Sequence, residues 1–217
     1  MKVVVFDLDG TLVDTAGDIQ QAANRMLADT GLAPLDKETI IGFIGNGVDV
    51  LVQRVMRHSA PATTEEALRV RTAAFRRYYD EGLTASSHPY PGVSDLLTGL
   101  GQRGIGLGIC TNKPEAPARR LCEALGLSRH FSAIIGGDTL PVKKPDAAPL
   151  LQTIRALGGR ADSALYVGDS ETDYLTAQAA GVQFAYFEGG YQRRPIADFH
   201  PDYRIGHMGE VADLLRC

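Results

Sequence analysis

A short run of β-branched and apolar residues, Val3 to Phe6, leads directly into Asp7-Leu8-Asp9-Gly10-Thr11-Leu12-Val13-Asp14. If that run is a strand, Asp7 and Asp9 stand two residues apart at its end and project in roughly the same direction. Two carboxylates crowded in this way are costly without a cation. Mg²⁺ would relieve them, because a hard dication takes oxygen ligands and keeps its remaining positions for water and phosphate oxygens. Three further groups suit the same chemistry. Thr111-Asn112 offers a hydroxyl and an amide able to donate hydrogen bonds to phosphoryl oxygens. Lys144, followed by Pro145, offers a compact positive charge to the same phosphoryl group and to the clustered acids. Gly168-Asp169-Ser170-Glu171-Thr172-Asp173 adds two acids, Asp169 and Asp173, four residues apart at the entry to a helix.

Each piece also has an ordinary reading. Asp-Gly is a common turn, Asp169 or Ser170 suits a helix cap, Thr111 suits the end of a strand, and Lys144 alone reads as a solvated surface residue. Their joint placement argues for a site. Gly106 to Cys110, Ala133 to Ile135, Ala164 to Val167 and Phe184 to Phe187 read as strands. Helical segments fall between them at about 93–103, 117–125, 148–157 and 171–180, with Gly104, Gly126, Gly158 and Gly181 as stop signals. Repetition of strand and helix implies a doubly wound parallel α/β sheet, which binds ligands beyond the carboxyl ends of its strands. Every candidate group sits at such an end.

One stretch breaks the alternation. Between the first strand and the helix near Val93, apolar residues recur at helical spacing in Asp18 to Thr30, Val48 to His58 and Glu65 to Tyr79, and a turn-rich return follows from Ser86 to Gly92. The chain is therefore expected to form an α/β core domain of residues 1–15 and 89–217 carrying a small helical insert of residues 16–88. Within the insert, Gly45, Asn46 and Gly47 lie in a flexible loop, Gly42 to Gly47, before a helix. That loop reads either as a plain interhelical turn or as backbone able to approach a small substrate.

Composition narrows the function. With 217 residues, 44% hydrophobic and 22% charged, the chain suits an ordinary globule, and its formal charge of -4 gives no footprint for nucleic acid. Apolar runs are too short for a membrane span and the N-terminal residues carry no cleavage signal, so a cytoplasmic protein is expected. Cys110, Cys122 and Cys217 lack metal-ligand spacing and read as reduced thiols, and the five histidines show no paired ligand spacing. The glycines near position 45 are not followed by G-K-[ST], which disfavours a nucleotide-binding loop.

The ordered set D-x-D-G-T-L-x-D, T-N, K-K-P and G-D-S-x-x-D, at Asp7 to Asp14, Thr111-Asn112, Lys143-Lys144-Pro145 and Gly168 to Asp173, resembles the haloacid dehalogenase superfamily over essentially the whole chain. The insert and the run Ile135-Gly136-Gly137-Asp138 resemble its phosphoglycolate phosphatase branch. Relatives often have K-P-x-P where this chain has Lys144-Pro145-Asp146-Ala147. The resemblance implies a Mg²⁺-dependent phosphomonoester hydrolase acting on a small phosphorylated metabolite, with 2-phosphoglycolate favoured. It implies that Asp7 is the nucleophile and Asp9 the acid and base. Mg²⁺ would be held by the Asp7 side chain, the Asp9 carbonyl and Asp169, with Thr111 and Lys144 cradling the phosphoryl group and Asn112, Gly45, Asn46 and Gly47 contacting substrate. Asp173 and Thr11 would support, Asp173 by orienting Lys144 or metal-bound water, and the insert would act as a cap. A dehalogenase is opposed by Asp9, which that chemistry does not need. A phosphohexomutase shares both aspartates, and a receiver-type phospho-switch shares the residue types but not their order along the chain.

Overall fold

The computed structural model describes residues 3–215, so Cys217 lies outside the described part. The chain divides into two compact units, one formed by residues up to Asp14 and from Pro89 onward, the other by Thr15–His88.

The first unit is a six-stranded sheet of β1 (Val3–Phe6), β2 (Gly106–Cys110), β3 (Ala133–Ile135), β4 (Ala164–Gly168), β5 (Gln183–Phe187) and β6 (Tyr203–Ile205). Its spatial order is β3-β2-β1-β4-β5-β6, with every neighbouring pair parallel. β1 is buried at all four positions, as expected of a central strand covered on both faces. Val3 and Val5 pack on one side with Leu150, Ile154, Tyr166, Tyr174 and Phe184, while Phe6 meets Phe131 edge to face on the other. The strand Tyr203–Ile205 had no counterpart among the expected strands, because its three residues alternate with arginine and lack a buried apolar run.

The helices of this unit run Val93–Gln102, Glu115–Ala124, Ala147–Ala156, Glu171–Ala180 and Val211–Leu214. The fourth has the sharpest ends. Ser170 caps it in a reciprocal box with Asp173, and Gly181 closes it in the left-handed region at φ +63°, where a side chain would be strained.

The second unit is helical: α1 (Ala16–Ala28), α2 (Lys37–Ile41), α3 (Val48–Ser59) and α4 (Glu65–Glu81). It has its own core, in which Met26, Leu27, Ile40, Val52, Val55 and Phe75 are buried together, as amphipathic helices of this length require. Asp36 and Thr64 cap α2 and α4 through backbone N–H groups. Buried Asp18 accepts from the backbone N–H and hydroxyl of both Ser86 and Ser87, tying the entry of this unit to its exit.

Candidate active site

The order of the sheet fixes where the site lies. Strand connections run outward in opposite directions from β1 and β4, and the crevice beyond their carboxyl ends is the switch point where such sheets bind ligands. Phe6 is level with Ile109 on one side and Val167 on the other, and the Asp7 N–H donates to the Val167 carbonyl at 2.9 Å. Asp7, Thr111 and Asp169 therefore leave the sheet at one edge, from three adjacent strands.

Asp7, Asp169 and Asp173 are buried and bring carboxylate oxygens within 4.8 Å of one another. Lys144 stands among them, only 3% exposed, which removes its reading as a surface residue. Its Nζ lies 2.9 Å from Asp7 Oδ1 and 2.6 Å from Asp173 Oδ1. Tyr166, fully buried in β4, accepts from Lys144 at 2.9 Å and lies 2.7 Å from the same Asp173 oxygen. The other Asp173 oxygen accepts from the Ser170 N–H and hydroxyl. One carboxylate thus caps a helix and fixes the lysine.

Asp169 is held from both sides. Thr11 Oγ1 donates to Oδ1 at 2.6 Å and the Tyr191 N–H donates to Oδ2 at 2.7 Å. Glycines leave it room: a Cβ at Gly10, where φ is +90°, would come 2.6 Å from Asp169 Oδ2, and one at Gly190 would come 2.1 Å from the Asp169 Cβ. The Tyr191 hydroxyl donates to Asp14 at 2.7 Å, which gives the last acid of the first motif a place in the scaffold.

Asp9 has a partner that sequence reasoning missed. Lys113 Nζ lies 2.9 Å and 3.3 Å from its two carboxylate oxygens, and the two side chains are 5% and 14% exposed. The crowding expected between Asp7 and Asp9 is therefore relieved on the Asp9 side by a lysine, and it falls instead on Asp7, Asp169 and Asp173. The Asn112 side-chain amide donates to the Lys144 carbonyl at 3.1 Å, bracing one site loop against another. The Thr111 hydroxyl oxygen accepts from the Lys113 N–H at 3.2 Å. Gly45, Asn46 and Gly47 belong to the other unit, in the turn between α2 and α3, where Gly45 and Gly47 have φ of +116° and +88°. There Arg54 Nη1 donates to the Phe43 carbonyl at 3.0 Å.

The electrostatics call for a cation. Burial pushes the Asp169 carboxyl up to about 8, with Asp173 and Asp7 adding to the rise. Burial likewise raises Asp7, to about 7, against the lowering pull of Lys144. Burial opposes the charge on Lys144, but Asp173 and Asp7 outweigh it and hold its pKa above the usual lysine range. Four buried or nearly buried carboxylates, Asp7, Asp9, Asp169 and Asp173, face two ammonium groups, Lys113 and Lys144. With all four ionised, two negative charges are left over, and a bound cation or protons on Asp7 and Asp169 must answer them. Asp7 Oδ1 is buried against the Lys144 ammonium at 2.9 Å, a group it shares with Asp173 and Tyr166. Buried acids in excess of ammonium groups and an all-oxygen donor set fit a hard divalent cation. Among the described residues, the buried thiols Cys110 and Cys122 are both pushed up to about 12 by burial, which leaves them protonated and unsuited to ligation.

A doubly wound sheet with acids converging at its switch point defines an α/β enzyme with a cation-receptive anionic site. The sequence pattern of haloacid dehalogenase-like hydrolases matches residues 4–187. The phosphoglycolate phosphatase of Cereibacter sphaeroides is 44% identical over 216 residues, covering 100% of this chain and 98% of the relative. That of Rhodospirillum rubrum is 45% identical over 200 residues, covering 90% and 83%. The crystal structure of a predicted phosphoglycolate phosphatase from Haemophilus somnus 129pt superposes with a TM-score of 0.93 at 32% identity, covering 99% of this chain and 97% of that one. The chain belongs to the haloacid dehalogenase-like hydrolase family, and within it is an enzyme of the phosphatase type.

Proposed function

We propose that this protein is a Mg²⁺-dependent phosphatase of small cytoplasmic metabolites, with 2-phosphoglycolate as the favoured substrate, and that it works through an aspartyl-phosphate on Asp7. The observation that carries the reading is the placement of Asp7. Its carboxylate sits at the switch point beside Lys144, within one acidic cluster with Asp169. Preference for 2-phosphoglycolate rests on the similarity to relatives bearing that name.

In the first step a carboxylate oxygen of Asp7 attacks phosphorus and forms a new O–P bond as the ester P–O bond breaks. The electron pair of the broken bond stays on the leaving oxygen, which takes a proton from Asp9. In the second step a water oxygen attacks the same phosphorus and Asp9 accepts its proton. The Asp7–phosphorus bond breaks, returning the Asp7 carboxylate and releasing inorganic phosphate. Lys144, kept charged and aimed by Asp173 and Tyr166, and the Thr111 hydroxyl offer positive charge and a donor to the phosphoryl oxygens. Asp7, Asp169 and the Asp9 carbonyl would hold Mg²⁺, which when bound neutralises charge between these acids and an anionic phosphate.

The helical unit is proposed as a cap, with Gly45, Asn46 and Gly47 approaching the substrate and Asn112 bracing the phosphate side. The test is a phosphate-release screen over phosphorylated small acids and sugars, with Mg²⁺ and with a chelator. Mg²⁺-dependent release, highest in kcat/KM for 2-phosphoglycolate, is expected. Turnover unaffected by chelation, or conversion of a sugar phosphate to its isomer without phosphate release, would refute the reading.

A further inference from the structure

Lys113 is a buried cation that the phosphoryl chemistry leaves without a task, since Lys144 already serves the phosphate side. Its backbone is fixed at both ends. The N–H donates to Thr111 Oγ1 and the carbonyl accepts from the Gly137 N–H at 2.9 Å. Gly137 has no room for a side chain, since a Cβ there would come 2.4 Å from the Asn112 carbonyl oxygen. The lysine stem is thus rooted in a close-packed loop, and its ammonium spans both oxygens of Asp9.

Its position relative to the substrate follows from the proposed role of Asp9, on which the present inference rests. Asp9 must touch the ester oxygen that leaves. An ammonium bonded to both Asp9 oxygens is then one carboxylate away from that oxygen, on the side of the leaving group. In 2-phosphoglycolate the ester oxygen carries a single methylene and then a carboxylate, so the second anion of the substrate falls where Lys113 can reach it. We propose that Lys113 is the specificity-determining residue that recognises a carboxylate one carbon from the phosphate ester. The substrate class it selects is the phosphorylated 2-hydroxy acids. In binding such a substrate, Lys113 exchanges the Asp9 carboxylate for that of the ligand. A neutral leaving group offers nothing to exchange and leaves Asp9 held by its lysine.

The experiment compares kcat/KM for 2-phosphoglycolate with that for ethyl phosphate, which lacks the carboxylate, in the wild type, Lys113→Met and Lys113→Arg. Lys113→Met removes the partner of the substrate carboxylate and also frees Asp9 towards ethyl phosphate, and both changes lower the ratio. The preference for 2-phosphoglycolate is expected to fall roughly 10- to 100-fold in Lys113→Met, the span of one lost hydrogen bond to a charged group, and to recover in part in Lys113→Arg. A preference that survives in Lys113→Met overturns the inference, even while the wild type upholds the proposed function. A wild type with no preference for 2-phosphoglycolate sinks the substrate reading itself. Should Lys113→Met fail to fold, Lys113→Gln makes the same comparison with the stem length largely kept.

Discussion

Lys144 Nζ lies 2.6 Å from Asp173 Oδ1, with both side chains almost wholly removed from solvent. A pair this deep is stabilising only because each charge answers the other, and removing one partner strands its neighbours. Lys144→Met leaves Asp7 and Asp173 without their shared cation. It should cost about 3–5 kcal/mol in urea unfolding at neutral pH without metal. Adding Asp173→Asn to that variant should restore part of the loss, because one of the stranded charges is gone. Simple addition of two losses would show that the pair does not act as a unit.

The acid cluster sets a pH dependence with a definite sign. Burial raises the Asp7 and Asp169 carboxyls in the fold, to about 7 and about 8, whereas both take ordinary values near 4 when unfolded. A group raised in this way contributes stability that is full below its unfolded pKa and is lost as pH rises through the folded one. The melting temperature of the metal-free protein is expected to fall as pH climbs from about 4 towards 8, over the window set by those values. Mg²⁺ should flatten that fall, because it favours the ionised acids. Thermal melts with and without Mg²⁺ give the answer, and identical slopes would contradict the cation assignment.

Leaving-group chemistry isolates Asp9. In Asp9→Asn no side-chain proton can be given to the departing oxygen, so alkyl phosphates should lose about 100-fold or more in kcat, within the usual range for general acid catalysis. An activated aryl phosphate leaves unaided and should lose far less in its first step. Equal losses on the two substrates would remove Asp9 from the acid role.

The residues that carried the reading were legible for different reasons. β1 stood out because a β-branched run met acids without transition, and Lys144 because it stands in a K-K-P run beyond the third strand. The parallel, doubly wound character of the sheet followed from alternation of strands and helices, and Glu171–Ala180 from a capping serine and a closing glycine. What stayed hidden was contact at long range. Lys113 beside Asn112 looks like any lysine after a strand, and nothing local says that it meets Asp9, 104 positions away in the chain. Tyr166 sits in an apolar run and reads as core, which it is. Its hydroxyl serves Lys144 and Asp173 only once the loop of Lys144 and the helix that begins at Glu171 come together over it. Tyr191 lies in a turn with no periodic pattern, and its backbone N–H, which any residue but proline would supply, is the group that grips Asp169.

Replacement of Asp7 separates chemistry from fold. Asp7→Asn keeps the shape of the side chain but cannot serve as the anionic nucleophile. Turnover should drop by at least about 1,000-fold, as deletion of a nucleophile does elsewhere. Because the variant also removes one of the crowded acids, its metal-free melting temperature at pH 8 should equal or exceed that of the wild type. A cooperative melt together with retained turnover would defeat the covalent route.

The stereochemical course at phosphorus tests that route most directly. A substrate made chiral at phosphorus with oxygen isotopes and sulfur is hydrolysed in isotopically labelled water, and the configuration of the released thiophosphate is read. Two successive in-line displacements, the first by Asp7 and the second by water, give overall retention. Inversion would mean that water attacks the substrate in a single step and that Asp7 never bonds to phosphorus.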